Sequence, residues 1–173
     1  DEYLASVPDH GWPCWVIGSH DKKRIAALIG AEQARVAAVL FLTLAGTPIF
    51  YAGDELGIAG SAGVATALDP FEQRVPGYGL NRDPERSPMQ WSAGAHAGFT
   101  TGTPWLPVGN DYPQRNVDSE RADPRSLLVL YRRLLDMRRT QPALLSREYA
   151  PVFIDDRTFI YDRGNLLAAL NFT

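Results

Sequence analysis

The chain reads as an α/β protein, a parallel strand–helix–strand unit followed by the start of an antiparallel sheet. Three observations predict this. Two short apolar runs, Cys14-Trp15-Val16-Ile17-Gly18 and Thr47-Pro48-Ile49-Phe50-Tyr51, bracket a helical stretch. Together they take about 35 residues, the length of one βαβ unit, which demands a parallel pair and a right-handed crossover. A strongly periodic helix follows at 123–142, and beyond it the pattern changes to three short runs separated by turn residues.

Residues 1–13 read as a loop punctuated by Pro8, Gly11 and Pro13. Cys14 to Gly18 is short and apolar enough for a fully buried strand. A helix is expected from near Lys22, with Asp21 as its cap, running through Arg24 to Ile29 and stopping at Gly30. Ala31 to Ala45 continues as a second helical stretch. Its later part is apolar nearly all round, as for a helix packed on two sides. Gly46 stops it before the second strand. Residues 52–123 hold little periodicity and many of the prolines and glycines. A loop this long is usually functional. Tryptophan among prolines, in Ser87-Pro88-Met89-Gln90-Trp91 and Pro104-Trp105-Leu106-Pro107, favours an ordered wall.

Asp123-Pro124 predicts a helix start, aspartate as N-cap and proline at the first helical position. Leu127, Leu130, Tyr131, Leu134 and Met137 fall at helical spacing. Arg132, Arg133, Arg138 and Arg139 sit late, where cations suit the helix dipole, and Pro142 ends the pattern. Strands are then expected over 148–153, 158–163 and 166–172, joined by Asp155-Asp156-Arg157 and by Gly164-Asn165. The change of pattern places a domain boundary near residue 143, with units over 1–142 and 143–173.

The 173 residues carry a net charge of −3, which gives no basic footprint for nucleic acid or an anionic membrane and leaves a neutral substrate as the better match. The longest apolar run, Val36 to Gly46, is about half of a bilayer span. No leader peptide is visible at Asp1, so a cytoplasmic protein is expected. From the polar opening without methionine, and the close inside what reads as a strand, a piece of something larger is expected. The single cysteine, Cys14, cannot form an internal disulfide and reads as a buried small hydrophobe rather than a catalytic thiol.

Several residues could carry chemistry. Ser19, His20 and Asp21 contain the letters of a hydrolase triad, but adjacent side chains cannot form its converging relay. Two readings remain for them. A His/Asp pair at a strand end can hydrogen-bond a polyhydroxyl ligand, with the carboxylate stabilising positive charge in a transition state. Alternatively, Asp21 caps the following helix and His20 is an ordinary loop residue. Asp54 and Glu55 end the second strand and read as capping and loop anchoring, because neighbours in sequence rarely flank a glycosidic bond. Asn81-Arg82-Asp83-Pro84-Glu85-Arg86 is a dense charge cluster, either solvated or a set of arginine forks for hydroxyls and carboxylates. No CxxC, HExxH, GxGxxG or P-loop pattern exists, so neither a zinc site nor a cofactor is expected.

Trp15-Val16-Ile17-Gly18-Ser19-His20-Asp21 resembles the segment that closes the seventh barrel strand in the α-amylase superfamily, glycoside hydrolase family 13, where it usually reads Asn-His-Asp. Residues Gly46 to Gly57 resemble that family's eighth strand. Arg82 to Trp91, Ala97-Gly98-Phe99 and Pro104 to Val108 are similar to the loop that follows it in α-glucosidases and oligo-1,6-glucosidases. Asn116-Val117 and the helix from Ser126 to Pro142 continue the likeness. The resemblance implies the C-terminal portion of a (β/α)8 TIM barrel, strands seven and eight with their helices, followed by the start of an antiparallel β domain. It implies a retaining, exo-acting α-glucosidase acting on oligosaccharides or disaccharides, without a metal or cofactor in this part.

By the same resemblance Asp21 is the transition-state stabiliser, His20 binds sugar hydroxyls, Arg82 clamps the non-reducing-end sugar, and Arg86 braces the loop. Ser19 in place of asparagine and Ser87 in place of threonine depart from the pattern. The family's nucleophile and general acid lie on strands four and five, outside these 173 residues, so the chain alone is expected to be inactive. A glucosyl transferase or isomerase, of trehalose or isomaltulose synthase type, and an inactive interaction homologue are the alternatives. Unpaired barrel strands are expected to promote association.

Overall fold

In the computed structural model, residues 3, 6–8, 10–61 and 66–173 are described. The loop expected over 1–13 therefore lies outside the described residues at positions 1, 2, 4, 5 and 9. The first strand, β1 (Cys14–Val16), pairs in parallel with β2 (Thr47–Ile49), with Trp15 opposite Pro48. Both strands are shorter than their apolar runs, although Ile17 still donates to the Ile49 carbonyl at 3.3 Å. Cys14 is exposed, which corrects the expectation of a buried thiol. The reason is topological. Among the described residues β1 has one strand neighbour, and Val16 and Ile49 are left open as well.

Helix α1 (Ile25–Thr43) connects the two strands. It begins three residues later than expected. Arg24 takes the N-cap position without a side-chain cap, so Asp21 caps nothing. Gly30 does interrupt the helix, with φ 81° and ψ 164°, a conformation open to glycine because it has no Cβ. By length and composition α1 could cross a bilayer. Here it packs as a layer, with Ala34, Ala38, Phe41 and Leu42 against Tyr131 and Leu134 of α4 (Leu127–Thr140). Complete burial of a leucine such as Leu42 stabilises by roughly 1.5–3 kcal/mol. Phe50 meets Tyr131 edge to face at 5.4 Å, which ties the residue after β2 to the same core.

The long connection between β2 and α4 is ordered in short pieces. A 3₁₀ turn spans Asp54–Leu56, α2 is Pro70–Arg74, and a second 3₁₀ turn spans Ala95–Gly98. Helix α3 (Val117–Ala122) starts from a capping box, in which Asn116 accepts from Ser119 N and the Ser119 hydroxyl accepts from Asn116 N. Helix α4 starts at Leu127, not at Pro124. Its N-cap is Ser126, whose hydroxyl accepts from Val129 N at 3.1 Å. Asp123 instead closes a turn by accepting from Arg125 N at 2.8 Å. Pro142 does not merely end α4 but opens α5 (Pro142–Leu145).

Strands β3 (Ala150–Ile154), β4 (Thr158–Asp162) and β5 (Leu167–Asn171) form an antiparallel sheet in that order. Asp155 accepts from the backbone of Arg157 and Thr158 at the first turn, and Gly164 takes φ 74° at the second. A register shift between Pro151 and Phe153 kinks the edge strand β3, where proline's missing N–H does least harm. Two buried arginines grip the end of α1, Arg163 just after β4 and Arg138 on α4. Arg163 donates to the carbonyls of Glu148, Thr43, Ala143 and Ser146. Arg138 donates to those of Leu42, Leu44 and Gly46. The last carbonyls of α1 lack helical partners and carry the negative end of its dipole, and a guanidinium takes each of Leu42 and Thr43.

Candidate active site

The turn after β1 carries the first two candidate residues. Ser19 and Lys22 form an antiparallel bridge, and the Ser19 hydroxyl accepts from Asp21 N at 3.2 Å. This hairpin-like turn points the side chains of His20 and Asp21 outward, 61% and 46% exposed, so both can reach a ligand. His20 Nε2 stands 3.2 Å from Asp21 Oδ2. Beneath the turn Gly18 packs on the carboxylate of Asp54, and any Cβ there would collide with it.

Asp54 accepts from Tyr51 N at 3.0 Å and lies 3.9 Å from Arg24, both side chains being buried. Arg24 in turn donates to the Ala52 carbonyl at 2.8 Å and lies over the Tyr51 ring. Burial pushes the Asp54 carboxyl up, against the pull of the Tyr51 N–H and of Arg24. Burial likewise pushes Arg24 down, against Asp54. Asp54 and Glu55 thus anchor backbone, as the sequence indicates; Glu55 accepts from Gly53 N at 2.7 Å.

The third candidate arrives from the distant loop. Arg82 Nη1 donates to Asp21 Oδ1 at 2.9 Å. Arg86 lies one helical turn further on, its N–H bonded to the Arg82 carbonyl, so both guanidinium groups face the same way. Arg86 Nη2 donates to the same Asp21 oxygen at 3.0 Å, and its Nε donates to the His20 carbonyl at 3.2 Å. The fold therefore brings His20, Asp21 and Arg82 together across 61 residues of sequence. Some desolvation raises the Asp21 carboxyl, but the hydrogen bonds from Arg82 and Arg86 and the nearby positive charge outweigh it and hold it below the usual range.

The sequence reads one further residue of this cluster in part and leaves another unread. Arg86 reads as a loop brace, and it does brace, but what it grips is His20 and Asp21. Asp69 stands out less. It is buried and holds Arg82 three times, through Nε at 2.7 Å, Nη2 at 2.8 Å and the backbone N at 2.9 Å. It also caps α2 by accepting from Phe71 N at 3.0 Å. The available signal was Asp69-Pro70, the same dipeptide that suggests a cap at 123–124. A cleft of about 380 Å³ opens beside this cluster, bounded by Asp21, Lys22, Lys23, Phe71, Leu80 and Arg82.

The model of the "Alpha amylase, catalytic domain" family matches residues 1–147. The chain belongs to the α-amylase family. It is 34% identical over 167 residues to Maltase A1 of Drosophila melanogaster, an alignment covering 94% of this chain and 29% of the maltase. It is 37% identical over 133 residues to the human amino acid transporter heavy chain SLC3A1, covering 76% of this chain and 18% of that protein. Among solved structures, trehalulose synthase MutB from Pseudomonas mesoacidophila MX-45 superposes with a TM-score of 0.84 at 31% identity, covering 99% of this chain and 36% of the synthase. Other structures of MutB variants hold glucose or isomaltulose. The chain thus spans about a third or less of the length of these relatives.

Proposed function

We propose that this chain is the C-terminal part of a retaining, exo-acting α-glucosidase, and that the cluster at the β1 rim grips one glucose unit. In this reading β1 and β2 are strands seven and eight of a (β/α)8 barrel, residues 1–142 belong to the catalytic barrel, and 143–173 open a C-terminal antiparallel domain. Asp21 holds ring hydroxyls as the sugar flattens toward its oxocarbenium-like transition state, and its negative charge offsets the developing positive charge. His20 hydrogen-bonds a neighbouring hydroxyl. Arg82, bonded to Asp21, clamps the sugar beside it.

The observation that supports this most is the sharing of one Asp21 oxygen by two guanidinium groups, at 2.9 and 3.0 Å. Oδ1 takes both arginines, while Oδ2 faces only His20 Nε2 at 3.2 Å and keeps a lone pair for a hydroxyl, and the carboxylate stays ionised at neutral pH. Retaining hydrolysis needs two further carboxyl groups about 5–5.5 Å apart. The family resemblance puts both on strands that these residues do not include, so the chain supplies a stabiliser and a clamp without the reacting pair. Turnover assays of the 173 residues on maltose, isomaltose and sucrose are expected to show no hydrolysis above background. Clear hydrolysis would overturn this division of labour.

A glucosyl transferase or isomerase is the second reading, favoured by the likeness to trehalulose synthase along 99% of the chain. The same rim serves both outcomes, because the difference lies in whether water or a sugar accepts the glucosyl group. Product analysis of the full-length parent on sucrose separates them, glucose plus fructose for the hydrolase and a rearranged disaccharide for the isomerase. The likeness to SLC3A1 supports an interaction role if the parent lacks the reacting carboxylates.

A further inference from the structure

We propose that Asp69 is a positioning residue for the sugar clamp, fixing Arg82 so that its Nη1 meets the Asp21 carboxylate and the ligand beside it. The proposal rests on the reading of the rim as a sugar grip. Three features of the structure carry it. First, the geometry is bidentate. Nε and Nη2 of Arg82 lie 2.7 and 2.8 Å from the two carboxylate oxygens of Asp69, the fork-to-fork arrangement that fixes a guanidinium in its plane. Only the remaining edge, Nη1, is left to face Asp21 at 2.9 Å.

Second, Asp69 is itself immobilised. It is 2% exposed, its Oδ1 caps α2, and its own backbone N–H donates to the buried carboxylate of Asp83 at 3.3 Å. Asp83 also accepts from Leu68 N at 2.7 Å. Residues 68–69 and 82–83 thus clasp each other in both directions, and the clasp is closed by the Arg82 backbone N–H on Asp69 Oδ2. Third, the Phe71 ring covers the guanidinium at 5.1 Å, which removes the remaining freedom to swing. A long arginine carries several rotatable bonds, and a clamp that must be ordered anew at each binding event gives up affinity. Asp69 removes that loss before the sugar arrives. The arginine bond also keeps the Asp69 carboxyl far below the ordinary range despite its burial, so the anchor stays ionised at any physiological pH.

Asp69→Asn is the informative variant, because asparagine caps a helix as well as aspartate does and so preserves α2. The measurement is solvent exchange of the Arg82 Nε–H by ¹⁵N NMR, assigned with R82K, together with D-glucose titrations of the wild type, D69N, R82A and the double variant. In the wild type the Arg82 Nε–H is expected to exchange at least about tenfold more slowly than in D69N. Glucose affinity is expected to fall roughly tenfold in D69N, with no further fall when D69N is added to R82A. Equal Nε–H protection in D69N and wild type overturns the proposal. So does an unchanged loss from D69N in the R82A background, which means that Asp69 acts without Arg82. If wild-type chain fails to bind glucose, the sugar reading falls, while the Nε–H exchange still decides whether Asp69 holds the arginine. Should D69N lose helix signal by circular dichroism, D69S retains the cap without the fork and takes its place in both measurements.

Discussion

Two pairs of arginines divide the labour in this molecule. At the rim, Arg82 and Arg86 are about a quarter exposed and bind carboxylates. At the joint where α4 and the sheet meet the end of α1, Arg138 and Arg163 are buried and bind seven main-chain carbonyls, with no ion pair to a carboxylate among the described residues. Burial pushes both joint arginines down from their ordinary value. Hydrogen bonding to Asp69 pushes Arg82 up, against its desolvation. The partner explains the role. A carbonyl has no charge state to change and no freedom to leave the backbone, so an arginine bound to several of them is a fixed staple. A half-exposed carboxylate can exchange one donor for another, which is what a ligand site requires.

The comparison can be broken in four ways. The largest expected effect is at the joint. Arg163→Ala removes a fully buried guanidinium and four hydrogen bonds at once and is expected to destabilise by about 3–5 kcal/mol in urea unfolding followed by tryptophan fluorescence. Arg86→Ala at the rim, by contrast, is expected to leave the midpoint nearly unchanged, since its partner carboxylate is half in water. Equal losses from the two would erase the distinction. Next comes Arg163→Lys. One ammonium cannot span carbonyls arranged around a planar fork, so less than half of the loss is expected to be recovered.

Acid gives the third test, with the sign set by the rim carboxylates. Asp21 and Asp69 have folded pKa values below the 3.8 of the unfolded chain. Their stabilisation is therefore complete above pH 3.8 and is lost as pH falls from there through the folded values. Asp54 runs the other way. Its folded pKa is raised, so its contribution weakens as pH climbs from 3.8 through that value. Stability of D69N, compared with the wild type at pH 2.5, 3.5 and 7, is expected to show a shallower acid limb. An acid limb as steep as that of the wild type would mean that Asp69 is not the titrating anchor. The smallest effect is ionic. Added salt at 0.5 M is expected to raise glucose Kd modestly through the exposed rim pairs and to leave the Arg163 contribution to stability unchanged.

The two Asp-Pro dipeptides show how far local sequence reaches. At 69–70 aspartate caps and proline takes the first helical position, as the dipeptide predicts. At 123–124 the same letters make a turn, and the helix waits for Ser126. Propensity permits both outcomes. The difference is that Ser126 has a second commitment, its hydroxyl donating to the Glu120 carbonyl at 2.7 Å, which ties the start of α4 to α3. Asp21 teaches the same lesson in reverse. Its position before a helix reads as a cap until two arginines more than 60 residues away claim the carboxylate. Cys14 reads as buried because an apolar strand is usually covered, and that cover depends on neighbours beyond the strand itself.

Local chemistry, read from the sequence, determined the parallel strand–helix–strand unit, the break at Gly30, the apolar stripe of α4, the three closing strands and their turns, and the family likeness carried by residues 15–21 and 46–57. These depend on side-chain periodicity and backbone freedom, which act over a few residues. Tertiary structure alone decided that Arg86 shares Asp21 with Arg82, that Asp69 holds Arg82, and that Arg138 and Arg163 staple the end of α1 to α4 and to the sheet. Each of those bonds spans a separation that no local propensity constrains, and each forms because a charge or carbonyl removed from water must find a partner wherever the fold supplies one.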